Sequence, residues 1–196
     1  GIGENEVAIH LYGGAETELP LAGGRVRIAE KSTYPWDGAI RVTVDPDTAR
    51  TFTLSLRIPA WCRNARVRVA GAEVAVTPER GYLRLNRTWQ PGDVVELDLP
   101  MAAERLWAHP EVKADVGRVA LRRGPLVYCF EGQDQGAPLY RLHLPRTGAL
   151  SSEFRPDLLG GIGVLRAEGL AATDQDSVLY RTTPPVEAPS PLLAVP

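Results

Sequence analysis

An alternation of apolar and polar residues with a period of two recurs along most of the chain and restricts its fold most strongly. Between residues 53 and 101 the alternation appears in four short runs, TLSLRI, RVRV, GYLRLN and VVELDL. Turn-forming residues separate these runs, among them Gly71 and the QPGD tetrapeptide at residues 90–93. A period of two is typical of strands with one buried face, so the pattern predicts antiparallel sheet packed against a second layer.

The alternation also predicts the fold class and its division. Strand-like runs about 8–12 residues apart are typical of sandwiches. We therefore predict an all-β protein made of two tandem antiparallel β-sandwich domains of jelly-roll-like character. The first is predicted at residues 1–103. The second, at residues 104–183, includes the runs LVYCF (126–130) and SVLYRTT (177–183).

Two stretches of the second half carry further expectations. The run LVYCF has apolar residues on both faces, which predicts a central strand covered on both sides. Residues 184–196 are rich in proline. Because proline lacks the N–H that a sheet ladder needs, this segment is predicted to be a tail outside any central sheet, either extended or disordered.

Composition argues against several classes of partner. The 22 basic and 24 acidic residues give a net charge of −2, which predicts no affinity for nucleic acid or anionic membranes. No apolar run approaches the roughly 20 residues of a membrane span. The chain begins GIGENEVAIHLY without Met, so we expect a native N-terminus upstream, and any targeting signal would precede Gly1.

The two cysteines, Cys62 and Cys129, lie beside apolar neighbours and are predicted to be buried free thiols. Neither has a partner at metal-ligand spacing, so no metal site is predicted in this chain. Two unpaired thiols favour a reducing compartment, and we therefore expect a cytoplasmic location.

No catalytic set emerges from the polar residues. Glu96 and Asp98 occupy the polar face of one predicted strand, where exposure to solvent accounts for them. The three histidines, His10, His109 and His143, are isolated from one another and match no nucleophile–base arrangement.

The aromatic turn YPWDG at residues 34–38 offers the best candidates for ligand contact. Tyr34, Trp36 and Asp37 are the predicted sugar-contact residues, because a flat ring can stack on a sugar face and the turn is expected to be exposed. The alternative for Asp37 is that its side chain bonds the local backbone of the Asp-Gly turn. The competing interpretation is that Tyr34, Trp36 and the other tryptophans pack in the core and corners of a sandwich.

Several segments resemble the C-terminal part of glycoside hydrolase family 127, the β-L-arabinofuranosidase family. The similarity is carried by HLYGGAE, RVRIAEKSTYPWDGAIRVTV, FTLSLRIPAWCRNARVRVAG, GYLRLNRTWQPGDVVELDLPM and, most specifically, ADVGRVALRRGPLVYCFEG. The resemblance implies an N-terminal (α/α)₆ barrel that holds the active site, followed by two β-sandwiches. It also implies that the family's cysteine nucleophile, zinc ligands and glutamate acid/base belong to the barrel. This chain has no adjacent cysteine pair, so no catalytic residue is carried over, and zinc is expected only in the missing catalytic domain.

The leading hypothesis is therefore a non-catalytic C-terminal β-sandwich region of a glycoside hydrolase, inactive alone, whose partner is the catalytic barrel of the same chain. Docking on that barrel predicts an exposed apolar patch on the isolated chain. Two alternatives stay open. One is a carbohydrate-binding module that uses exposed aromatic residues, and the other is an assembly module that pairs with copies of itself through an edge strand.

Overall fold

The structure, a computed structural model, describes residues 1–173 and 179–196. The described residues divide into two compact units, Gly1–Met101 and Ala102–Pro196. Both units are built from β-strands, and the only helical elements among the described residues are short 3₁₀ turns. The prediction of an all-β chain with tandem domains is confirmed. Among the described residues, no helix has the length and apolar character needed to cross a membrane.

The first unit contains nine strands in two sheets. They are β1 (Glu6–Ile9), β2 (Ala15–Leu21), β3 (Gly24–Ser32), β4 (Ala39–Pro46), β5 (Arg50–Arg57), β6 (Arg66–Val69), β7 (Ala72–Val74), β8 (Tyr82–Trp89) and β9 (Asp93–Asp98). One sheet has the order β1-β5-β8 and the other β2-β3-β4-β9-β6-β7. Apolar side chains of both sheets join in one buried cluster, so the unit is a sandwich.

The period-two alternation explains why these strands form and pack. On β4 the side chains of Ile40, Val42 and Val44 are buried, whereas Arg41, between two of them, is exposed. On β5 the buried apolar side chains are Phe52, Leu54 and Leu56, and Ser55 between two of them is also buried. Each fully buried apolar side chain of this kind stabilises the fold by about 1.5–3 kcal/mol. The inward residues that alternation predicted therefore form the core.

One pairing in the first unit departs from the predicted antiparallel arrangement. Strand β1 runs parallel to β5, with Val7 opposite Leu54 and Ile9 opposite Leu56. The chain passes through β2, β3 and β4 of the other sheet before it returns as β5. A connection of that length permits a parallel pair, which a tight hairpin does not.

The second unit contains seven strands among its described residues. They are β10 (Ala103–Leu106), β11 (Ala120–Arg123), β12 (Leu126–Phe130), β13 (Leu142–His143), β14 (Leu150–Arg155), β15 (Ile162–Ala172) and β16 (Glu187–Val195). They form one sheet of order β10-β11-β12-β16-β15-β13, and β14 also pairs with β15. Arg105 Nη1 on β10 donates to the carbonyl oxygen of Gly148, ahead of β14, at 3.1 Å. The sheet therefore curls so that strands distant in its order approach each other, around a core of Leu121, Tyr128, Leu165 and Ala194.

The prediction that the proline-rich tail stays outside any central sheet is wrong. Residues 187–195 form β16, which lies between β12 and β15. The N–H and carbonyl of Leu193 bond to the side chain of Gln135, on the edge of β16 that faces away from β15. Pro189 and Pro191 are in phase with Leu193, so their nitrogens face that same edge. The missing N–H groups therefore do not interrupt the ladder with β15.

The run LVYCF forms a central strand, as predicted, but the prediction that both of its faces are covered is wrong. Strand β12 lies between β11 and β16 in the sheet, but Val127 is 62% exposed. Cys129, in phase with Val127, is also exposed, which corrects the prediction that both cysteines are buried. Cys62 is buried, as predicted. The predicted strand at residues 177–183 begins at Ser177 and Val178, which lie outside the described residues.

Candidate functional site

The three predicted sugar-contact residues lie in the turn between β3 and β4. The Tyr34 ring is half-buried against the core and meets the Tyr12 ring edge-on at 6.1 Å between centroids. Trp36 is half-buried, and its backbone N–H donates to the Thr33 carbonyl at 3.0 Å. The exposed Asp37 accepts from the N–H of Ala39 at 2.6 Å. The turn brings the three residues together, and contact with sugar stays a prediction.

The other three tryptophans differ in how deeply they are buried. Trp89 is fully buried, Trp61 packs against the core of the first unit, and Trp107 is 58% exposed. Trp61 also forms a side-chain hydrogen bond with Tyr34. Burial raises the pKa of Tyr34, although this hydrogen bond acts in the opposite direction. Core packing is thus the main role of Trp61 and Trp89.

A polar group that the sequence analysis did not single out lies beside this aromatic turn. Glu30 is buried, and its carboxylate accepts from the N–H of Gly14 at 3.1 Å. Burial raises the pKa of this carboxyl. Tyr12 donates its hydroxyl proton to the Arg57 carbonyl at 2.6 Å, and burial, with the nearby Glu30, raises its pKa too. The spacing of Glu30 from the inward Val26 and Ile28 was a signal that could have revealed it.

The buried Glu30 carboxyl gives a prediction about pH. Because its folded-state pKa lies above the ordinary value of 4.5, ionisation penalises the folded state as pH rises from that value through the folded pKa. Glu30→Gln keeps an oxygen to accept from Gly14 and removes the ionisation. We expect the variant to gain stability relative to the wild type between pH 4 and pH 7, measured by urea unfolding.

An exposed carboxylate provides the control for this prediction. Glu73→Gln alters a side chain that is 74% exposed and lies 3.8 Å from Arg68, and the loss of an exposed pair of this kind should change stability by about 0–1 kcal/mol. Two results would contradict a raised pKa of Glu30. One is a stability difference between Glu30→Gln and the wild type that is the same at pH 4 and pH 7, and the other is a wild type that becomes more stable relative to the variant as pH rises.

The outer face of the six-stranded sheet carries charge rather than a site for chemistry. A shallow depression of about 340 Å³ is lined mainly by charged side chains. Glu96, one member of the carboxylate pair considered above, bonds to Arg41 at 3.0 Å, and both side chains are about half exposed. Exposed ion pairs contribute little to stability. The geometry agrees with a solvated sheet face.

The described residues do not assemble a metal centre. In the ranges 1–173 and 179–196, no three His, Cys, Asp or Glu side chains come together in a way that could hold a metal ion. His10 Nδ1 lies 2.7 Å from the Tyr82 hydroxyl, and the Arg57 guanidinium lies 5.5 Å from the Tyr82 ring centroid. Among the hydrogen bonds of the described residues, His10 has no carboxylate partner that would complete a triad. Cys62 is also not activated as a nucleophile, because burial raises the pKa of its thiol.

An exposed apolar surface lies on the second unit. We call Ala120, Val127 and Cys129, on strands β11 and β12, the β12 outer face. All three are exposed. Arg122, opposite Val127 in the ladder, pairs with Glu104 at 2.5 Å. The β12 outer face is therefore a small apolar surface beside one ion pair.

Two family models match the chain one after the other. The model described as "Beta-L-arabinofuranosidase, GH127 middle domain" matches residues 6–101, and "Glycoside hydrolase family 127 C-terminal domain" matches residues 103–195. The matches meet where the structure divides into its two units, between Met101 and Ala102.

Individual proteins agree with these matches. The chain is 35% identical over 164 residues to the non-reducing end β-L-arabinofuranosidase of Bifidobacterium longum subsp. longum, covering 78% of the chain and 25% of that protein. The crystal structure of Ara127N-Se, a GH127 β-L-arabinofuranosidase from Geobacillus stearothermophilus T6, superposes with a TM-score of 0.95 at 41% identity, covering 98% of the chain and 31% of that structure. A GH127 β-arabinofuranosidase structure gives a TM-score of 0.89 at 29% identity, covering 98% and 32%. The chain thus spans a quarter to a third of the length of these relatives.

Proposed function

Because the chain belongs to glycoside hydrolase family 127, in its middle and C-terminal domains, we propose that it is the non-catalytic β-sandwich region of a longer glycoside hydrolase of the β-L-arabinofuranosidase type. The observation that carries this proposal is the coverage of the relatives. Almost all of this chain superposes on about a third of Ara127N-Se. We refer below to a protein of the relatives' length that contains this chain as the longer protein.

The proposed partner is an N-terminal (α/α)₆ catalytic barrel in the longer protein. The barrel would supply the nucleophile, the acid/base and the zinc. The described residues of this chain do not suit that chemistry, because Cys62 and Cys129 belong to different units and no set of three ligands forms around either. The role left to this chain is to cover and stabilise the barrel.

The surface proposed for this role is the β12 outer face. Exposed apolar side chains on a strand lose contact with water when they are covered, which stabilises the assembly by roughly 25 cal/mol for each Å² buried. Val127, at 62% exposure, has most of its surface available for that purpose. Association with carbohydrate at Tyr34, Trp36 and Asp37 stays a separate prediction, which this docking role does not require.

The experiment compares activity and stability in two proteins. We expect the 196-residue chain alone not to hydrolyse p-nitrophenyl β-L-arabinofuranoside and the longer protein to hydrolyse it. Val127→Asp should leave the stability of the 196-residue chain nearly unchanged. In the longer protein it should lower stability by about 2 kcal/mol or more, because covering the face would remove water from the new carboxylate, and the neighbouring Arg122, already paired with Glu104, does not offset that cost.

The matched control is Ser151→Asp, on an exposed position of β14 in the same unit, which should be nearly neutral in both proteins. Hydrolysis by the 196-residue chain would overturn the non-catalytic role. Ultracentrifugation provides the other decisive result. If the 196-residue chain is a dimer that Val127→Asp converts to a monomer, the β12 outer face joins two copies and does not dock on a barrel.

A further inference from the structure

The outer edge of β1 is paired with the first residues of the chain. Strand β1 is the outermost strand of its three-stranded sheet, with β5 on its inner side. Gly3 donates its N–H to the Glu6 carbonyl at 2.8 Å, Ala8 donates to the Gly1 carbonyl at 2.9 Å, and the Gly1 nitrogen donates to the Ala8 carbonyl at 2.7 Å. Ile2 lies opposite Val7 in an antiparallel bridge. Gly1 to Gly3 therefore lie antiparallel along the outer edge of β1, as the end of a fourth strand would.

The spacing of these hydrogen bonds fixes where such a strand would continue. In an antiparallel ladder, bonded pairs recur every two residues on each strand. The pairs here are Gly3 with Glu6 and Gly1 with Ala8, so the next pair joins His10 to the second residue before Gly1. The N–H and carbonyl of Ala8 point to this outer edge. His10 follows directly after β1, and a continued strand would turn its N–H and carbonyl to the same edge.

Apolar side chains beside this edge are incompletely covered. An open hollow of about 360 Å³ has a largely apolar lining that includes Ile2, Val7, Ile9, Leu11 and Ile28. Leu11 follows β1 by two residues and is 82% exposed, whereas Val7 and Ile9 of β1 and the following Tyr12 are buried. The regular alternation of β1 therefore ends at Ile9, and Leu11 lies beside the hollow without cover.

We propose that, in the longer protein, the segment immediately before Gly1 continues this strand, pairs with His10 and covers Leu11 and the hollow. The proposal rests on the proposed function only for the existence of an upstream catalytic region. Ile2 lines the hollow and lies opposite Val7. Since side chains alternate along a strand, the first and third residues before Gly1 would point to the same side, opposite Ile9 and Leu11. Both are expected to be apolar.

Hydrogen exchange compares the two proteins at one amide. We expect the His10 N–H to exchange at least tenfold more slowly in the longer protein than in the 196-residue chain, because it would donate to the upstream strand. The N–H of Arg84, on an exposed position of β8 in the same sheet, serves as the reference and should exchange similarly in both. Equal rates for His10 in the two proteins would overturn the proposal.

A pair of substitutions tests the same bond by another route. His10→Ala removes the side chain and keeps the N–H, whereas His10→Pro removes both. In the longer protein the melting temperature of His10→Pro should fall several degrees below that of His10→Ala, and the gap should be smaller in the 196-residue chain. Equal gaps would contradict the pairing. If the His10 amide exchanged slowly in the longer protein but that protein did not hydrolyse the arabinofuranoside, the upstream strand would be retained and the proposed function rejected. Failure of this proposal is therefore distinguishable from failure of the proposed function.

Discussion

Replacing Trp89 with alanine is expected to lower the free energy of unfolding by about 3–5 kcal/mol, a large fraction of the stability of a typical domain. The Trp89 side chain is fully buried, and its ring lies 5.8 Å from that of Phe52 between centroids. Its Nε1–H donates to the Phe52 carbonyl at 3.1 Å. The substitution removes the largest fully buried side chain and its hydrogen bond to the Phe52 carbonyl. Urea unfolding monitored by circular dichroism measures the loss.

Two further substitutions separate packing from hydrogen bonding. Trp89→Phe keeps a ring against Phe52 and loses the N–H, so its cost should be smaller, about 1–3 kcal/mol. Trp107→Ala removes the same type of side chain from a position that is 58% exposed and should change stability by only about 0.5 kcal/mol. If Trp89→Ala were as mild as Trp107→Ala, the Trp89 ring would not be a central part of the core.

Ending the chain after Val186 is expected to unfold the second unit. The truncation removes β16, which pairs with both β12 and β15 and supplies the buried side chains of Leu192, Ala194 and Val195. Each buried Leu or Val contributes about 1.5–3 kcal/mol, and the ladder bonds to β15 would be lost as well. Hydrogen exchange at the amides of Tyr128 and Leu165 should change from slow to fast.

Smaller changes at the same end of the chain test this interpretation. Removing Pro196 alone, which is exposed and follows β16, should leave exchange at both amides slow. Leu192→Ala should cost about 2–5 kcal/mol, and Leu193→Ala, at a half-buried neighbour, should cost less. A folded second unit after truncation would mean that residues 187–196 are the dispensable tail that their proline content indicates.

Local pattern accounted for much of the first unit. The buried positions of Ile40, Val42 and Val44 follow from the alternation of apolar and polar residues along β4. The candidate residues at the aromatic turn lie together because they are adjacent in sequence, and their contact with sugar stays a prediction. What they contact was not predictable, because the Tyr12 ring against Tyr34 and the Glu30 carboxyl nearby come from other strands.

The sequence by itself determined the fold class, the inward residues of most strands and the family resemblance, because side-chain direction along a strand and characteristic sequence motifs are local properties. Only the tertiary structure decided that β1 pairs in parallel with β5, that Cys129 faces outward and that β16 lies inside its sheet. Strand partners are chosen by backbone hydrogen bonds between distant residues, which no local period encodes. The two prolines of β16 show this most clearly, since their phase relative to Leu193 determines that they are tolerated.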